Sequence, residues 1–132
     1  MSPFKTYAVL FILALATSIS PVVLSFEVFI FNILGTDATL TVHCKSTDQD
    51  LGTHVLEREA HFNWDFKIGK GSPAIYDCDL SYDKITGHFT MFNEQRDALR
   101  CGDEKCLWKV QQDGMFLYIK EHDAYEKQFS WP

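Results

Sequence analysis

His61-Phe62-Asn63-Trp64-Asp65-Phe66-Lys67-Ile68 sets apolar side chains at 62, 64, 66 and 68 and polar ones between them. Successive side chains of a strand point to opposite faces, so strict alternation makes one buried face and one wet face. A helix would repeat its apolar positions every 3.6 residues instead. The stretch therefore reads as a half-buried β-strand. Working outward, Thr39 to Cys44 alternates in the same way, with Leu40, Val42 and Cys44 on one side. Ile75 to Tyr82 places Tyr76, Cys78, Leu80 and Tyr82 together. Phe26 to Leu34 is rich in Phe, Val and Ile and predicts a strand buried on both faces.

Further strands are predicted at His54–Leu56, Gly87–Phe92, Leu107–Gln111, Met115–Lys120 and Lys127–Trp131. Turn-forming residues separate them at Gly35-Thr36-Asp37, Asp50-Leu51-Gly52, Gly69 to Pro73, Asp83 to Gly87 and Asp113-Gly114, the last a good hairpin signal. Glu57–Ala60 is the best helical stretch and is too short to stand alone. Short strands with frequent turns predict an all-β fold, a small antiparallel β-sandwich of about eight strands. Most of the 11 Phe must then be core.

The 132 residues suggest one domain, and its first stretch stands apart. Lys5 precedes an uncharged run, Tyr7 to Ile19, and small residues follow at Ser18, Ser20 and Ser25. This is the pattern of a secretory signal peptide. The run falls short of the ~20 residues that span a bilayer, and Pro21 would break its extension. Residues 1–25 are thus expected to be signal peptide, cut after Ser25 with Val23 at the −3 position; a cut near Ser18 or Ser20 is the alternative. Residues 26–132 are the domain, 132 − 25 = 107 residues long. No insertion of that domain into a membrane is expected.

The charge is −6, from 12 basic and 18 acidic residues. An acidic chain is a poor partner for nucleic acid, whose phosphates need a basic face, and for anionic lipid. The four cysteines, Cys44, Cys78, Cys101 and Cys106, all follow the signal segment and predict two disulfides. Sequence leaves the three possible pairings open. Cys44–Cys101 with Cys78–Cys106 is the expectation, on the idea that long-range links brace two sheets better than a local loop. The C-x4-C spacing of Cys101 and Cys106 suits zinc poorly, and no metal or other cofactor is expected.

Five histidines, His43, His54, His61, His88 and His122, could in principle do acid–base work. Nothing places a cation beside them, and His43, His61 and His88 fall on the polar positions of strands. Asp48-Gln49-Asp50 begins like a calcium loop, but Gly52 stands at the third acidic position, so a polar turn is the better reading. Asp77 and Asp79 flank Cys78 and read as a solvated strand face rather than as a glycosidase pair. No phosphate loop, nucleophile elbow or metalloprotease motif is present, so no catalytic residue is assigned.

Leu40-Thr41-Val42-His43-Cys44-Lys45-Ser46, followed by Asp48-Gln49-Asp50-Leu51-Gly52 and His54, resembles the opening signature of the plant S-protein homologues, the self-incompatibility S1 family. The resemblance continues through Phe62 to Phe66, Cys78, Arg96-Asp97 before Cys101, Cys106-Leu107-Trp108-Lys109-Val110, Asp113-Gly114 and the final Trp131-Pro132. It covers essentially all of residues 26–132. Ile75-Tyr76-Asp77 replaces the family's usual aromatic pair before the second cysteine, and Glu121 to Phe129 aligns poorly. The resemblance implies a small secreted β-sandwich without enzymatic activity, working outside the cell in the apoplast. Its founding members reject self pollen through a pollen membrane partner, so a cell-surface receptor is the implied kind of partner.

Loops make such contacts, and those expected to do so are Thr47–Thr53, Gly69–Ala74, Asn93–Arg100 and Glu121–Glu126. Their candidate residues are Asp48, Asp50, Lys70, Glu94, Arg96, Glu121 and Asp123. Because the resemblance's motif includes Arg96 and Asp97, their pairing with each other or with the framework is the better reading of these two. A secreted hydrolase using His and Asp, with His54 as its test position, and a defence or inhibitor protein presenting Gly69–Pro73 are the alternatives.

Overall fold

A computed structural model describes residues 23–132. The strands are β1 (Leu24–Asn32), β2 (Leu40–Lys45), β3 (Asp50–Leu56), β4 (His61–Ile68), β5 (Ile75–Tyr82), β6 (Ile85–Asn93), β7 (Lys105–Gln111), β8 (Gly114–Ile119) and β9 (Ala124–Phe129). One helical turn, α1 (Glu94–Asp97), follows β6, and a 3-10 turn, Lys120–His122, precedes β9. The strands form two sheets, β4-β1-β7-β8-β9 and β3-β2-β5-β6.

The all-β sandwich is as expected, with nine strands among the described residues rather than about eight. The alternating stretches fold as read. His61–Ile68 is β4, and its Trp64 and Ile68 are buried while His61, Asn63, Asp65 and Lys67 face water. Pairing is antiparallel except between β1 and β7, which run parallel. That exception follows from topology, because the chain leaves β6 in the second sheet and re-enters the first beside β1.

β1 departs from expectation. Phe26, Val28, Ile30 and Asn32 are buried, but Glu27, Phe29 and Phe31 lie half-buried on the outer face. Phe29 and Phe31 stack at 6.1 Å and pack against His61, which is what the run of hydrophobics concealed. Between the sheets lie Leu40, Val42, Leu80, Met91, Phe92, Trp108, Val110, Met115 and Leu117. The Trp108 indole crosses this core and donates to the Met91 carbonyl at 2.9 Å, so β7 and β6 are joined through a satisfied polar tip.

Asn32 is fully buried. Its amide donates to the carbonyls of Ala38, Leu56 and Glu57, and its oxygen accepts from the Leu34 amide. It therefore ties the β1–β2 connection to the β3–β4 turn, where Glu57–Ala60 is turn rather than helix.

The expected disulfide pairing is wrong. Cys44 bonds Cys78, and Cys101 bonds Cys106. Cys44 and Cys78 sit directly opposite each other on the antiparallel pair β2–β5, with Cα atoms 4.0 Å apart. Cys101 and Cys106 close a local loop at the entry to β7, 4.9 Å between Cα atoms. Neither bond joins the two sheets; side-chain packing does that. The signal segment lies outside the described residues up to Pro21 and Val22. The expected cut after Ser25 would remove Leu24 and Ser25 from β1, which pair with Ile68 and Lys67.

Candidate functional site

Strand direction decides what the loops can do together. β2 ends where β5 begins, because the two are antiparallel, and β6 ends beside the start of β5. β4 ends beside the start of β1, and β7 starts there too because it runs parallel to β1. β8 returns to the same end. The connections 46–49, 69–74, 94–104 and 120–123, drawn from both sheets, therefore share one end of the sandwich. They contain or adjoin every loop expected to make contacts. Thr47–Thr53 and Glu121–Glu126 are shorter loops than expected, since β3 begins at Asp50 and β9 at Ala124.

Beneath this end lies a rigid base. Asp97 is fully buried, and its carboxylate takes Arg96 at 2.8 Å and Arg100 at 2.7 Å. It also accepts from the Asn93 amide. Arg96 donates further to the Thr90 carbonyl, and Arg100 to Gln128 of β9. The Asn93 side chain caps α1 by accepting from the amides of Gln95 and Arg96. Both disulfides lie at the same end. Within the Cys101–Cys106 loop, Gly102, Asp103 and Glu104 are consecutive residues of positive φ, at 72°, 49° and 60°. Non-glycine residues adopt that conformation at a cost, which the disulfide and the Lys120–Asp103 ion pair hold in place.

The candidate residues divide by what occupies them. Glu94 accepts from the amides of Gly69 and Ala74, binding one loop to another. Arg96 serves the Asp97 cluster. Asp50 lies 2.7 Å from the His43 ring and accepts from the Gly52 amide, which with His43 holds its carboxyl below the ordinary range. Asp123 accepts from the Tyr118 hydroxyl, a bond that pushes that phenol up. Asp48, Lys70 and Glu121 are exposed and carry no side-chain bond among the described residues.

A cleft of about 440 Å³ opens between the loops, lined by Asp48, Gln49, Lys70, Pro73, Ile75 and Tyr76 among others. The Tyr76 hydroxyl donates to Gln49 at its floor, and burial pushes that phenol above its ordinary range. Reasoning from charge missed the apolar part of this end. Leu99 is 97 % exposed, on the turn between the Asp97 cluster and Cys101, and Ile75 and Leu24 are exposed at strand starts of the same end. The only sequence signal was an unpatterned Leu between Ala98 and Arg100.

His43 and His88 lie on either side of Asp79 and line one shallow concavity with it, which no other histidine lines. His43 pairs with Asp50 and His88 with Asp79 on the outer face of the second sheet, while His54 stacks on Phe62 and bonds the Leu51 carbonyl. His122 pairs with Glu126. Among the described residues no group of three or more His, Cys, Asp or Glu is placed to hold a metal, and no helix is long and apolar enough to cross a membrane.

A two-sheet sandwich with a disulfide within one sheet and another closing a local loop, its loops gathered over a rigid base, defines a class of small disulfide-braced β-domains. The sequence profile described as plant self-incompatibility protein S1 matches residues 27–131. S-protein homolog 24 of Arabidopsis thaliana is 35% identical over 64% of this chain and 56% of its own length. Self-incompatibility protein S1 of Papaver rhoeas is 29% identical over 88% of this chain and 82% of its own. A solved structure of an SPH (self-incompatibility protein homologue) protein, from a family described as widespread, small, highly stable and secreted from plants, superposes with a TM-score of 0.64. It is 18% identical, covering 81% of this chain and 94% of that one. The chain belongs to the plant self-incompatibility S1, or S-protein homologue, family. Its match spans 56% and 60% of the length of the Arabidopsis homologs 24 and 6.

Proposed function

We propose that this protein is a non-enzymatic recognition ligand that engages a cell-surface partner through the loop end. One observation carries the reading: loops from both sheets meet over a base fixed by two disulfides and the Arg96–Asp97–Arg100 cluster. A surface fixed in advance loses less freedom on binding, so more of its contact energy appears as affinity. On that base stand an exposed apolar knob, Leu99, and the unpaired charges of Asp48, Lys70 and Glu121. An apolar anchor inside a charged rim is the usual anatomy of a protein interface. The relatives named for self-incompatibility support a signalling partner at a membrane.

A hydrolase has less in its favour. His43 and His88 face carboxylates on an open sheet surface, and among the described residues no hydroxyl or thiol donates to either ring. The test is binding of oxidised, labelled protein to membrane fractions from several plant tissues. Saturable, protease-sensitive binding that unlabelled protein competes away is expected from one fraction. Absence of saturable binding everywhere, with turnover in a hydrolase screen that His54→Ala abolishes, would overturn the proposal.

A further inference from the structure

The outer face of the first sheet, well apart from the loop end's chemistry, is built unlike any other surface of the molecule. Phe31 pairs with His61 on one side and Lys109 on the other; Lys109 pairs with Phe116, and Phe116 with Lys127. The next row runs from Asn63 through Phe29 to Leu107, with Tyr118 paired to Tyr125 beyond it. These apolar and aromatic side chains are all half-buried, so each still shows part of its surface to solvent. The Lys109 ammonium stands 4.0 Å over the Tyr125 ring. Among the described residues neither Lys109 nor Lys127 has a carboxylate within ion-pair distance.

The cations are therefore spare, on a chain whose net charge is −6. The second sheet's outer face is the opposite in kind, with Asp77, Asp79, His43, His88, Thr41 and Thr86 and no aromatic residue among them. The first sheet's outer face also carries Glu27 and Asp65, next to Lys67 and Lys105, so its spare cations are Lys109 and Lys127 among the rings toward β9; the second sheet's outer face carries Lys45 opposite Asp77.

We propose that the β4-β1-β7-β8-β9 face binds an acidic polysaccharide, one whose sugar units carry carboxylates. Exposed ring surface stacks against the apolar C–H face of a sugar, while Lys109 and Lys127 meet carboxylates. Outward side chains repeat at about 4.8 Å from strand to strand, so the two lysines, two strands apart, stand about 10 Å apart along a straight row. A regular row suits a repeating polymer better than an irregular protein surface. Screening confines the effect of the protein's other charges to about 10 Å, so these two spare cations can act locally on an acidic chain.

The experiment is affinity electrophoresis and titration of the oxidised protein with polygalacturonate, with dextran as the neutral polymer and phosphatidylserine vesicles as a second anionic surface. Retention by polygalacturonate alone is expected, weakening as salt rises. Lys109→Gln with Lys127→Gln, checked for native circular dichroism, should weaken it about fivefold; Leu99→Ala, at the loop end, should leave it unchanged. No retention, equal retention by dextran or by vesicles, or an unchanged affinity in the folded double variant would overturn the proposal.

Discussion

Asp97 shows how much one side chain can fix. Two guanidinium groups and the Asn93 amide converge on a carboxylate that solvent does not reach. Asp97→Ala leaves two half-buried cations facing an empty site, and a broken buried pair costs about 3 kcal/mol. Urea unfolding of the variant should show that loss; a change within experimental error would mean the cluster is decorative. Two exposed pairs make the pH dependence predictable. The Gly52 amide, then His43, hold the Asp50 carboxyl below 3.8. A depressed folded-state value stabilises the fold above about that pH, and the contribution disappears as pH falls through the lowered value. His122 runs the other way, because its bond to Glu126 raises the imidazole above 6.5. Its contribution is complete below that pH and fades as pH rises through the raised value. An NMR titration should find His122 high in the native protein and lower in Glu126→Gln; an identical midpoint in both would refute the pairing.

At the scale of elements, the two disulfides are unequal. They close loops of 34 and 5 residues in sequence separation. On the chain-entropy account their removal costs about 4 and about 2 kcal/mol respectively. Paired Cys→Ala variants compared by chemical denaturation should rank in that order, and the reverse ranking would show that strain or packing dominates. The strands themselves were legible because their period of two survives in β2, β4 and β5, each with one wet face. β1 misled because Phe29 and Phe31 form a partly covered aromatic outer layer that looks, in sequence, like a second core face. The cysteine pairing was illegible for another reason. It depends on β2 and β5 becoming neighbours, which places Cys44 opposite Cys78, and no local pattern reveals which strands will pair.

For the whole molecule, function turns on which end of the sandwich each connection reaches. The sequence singled out the charged loops but could not show that they share an end, since that follows from strand order. Nor could it show that Glu94 and Arg96 are spent on the framework while Leu99 projects freely. The most direct test of the loop-end account compares two double variants in the membrane-binding assay. Leu99→Asp with Lys70→Glu alters the loop end, and Lys84→Glu with Asp113→Lys alters exposed turns at the other. The account predicts that the first loses binding about tenfold or more, a cost of about 1.4 kcal/mol, while the second binds as the parent does. Full binding by the loop-end variant with loss in the other would contradict it.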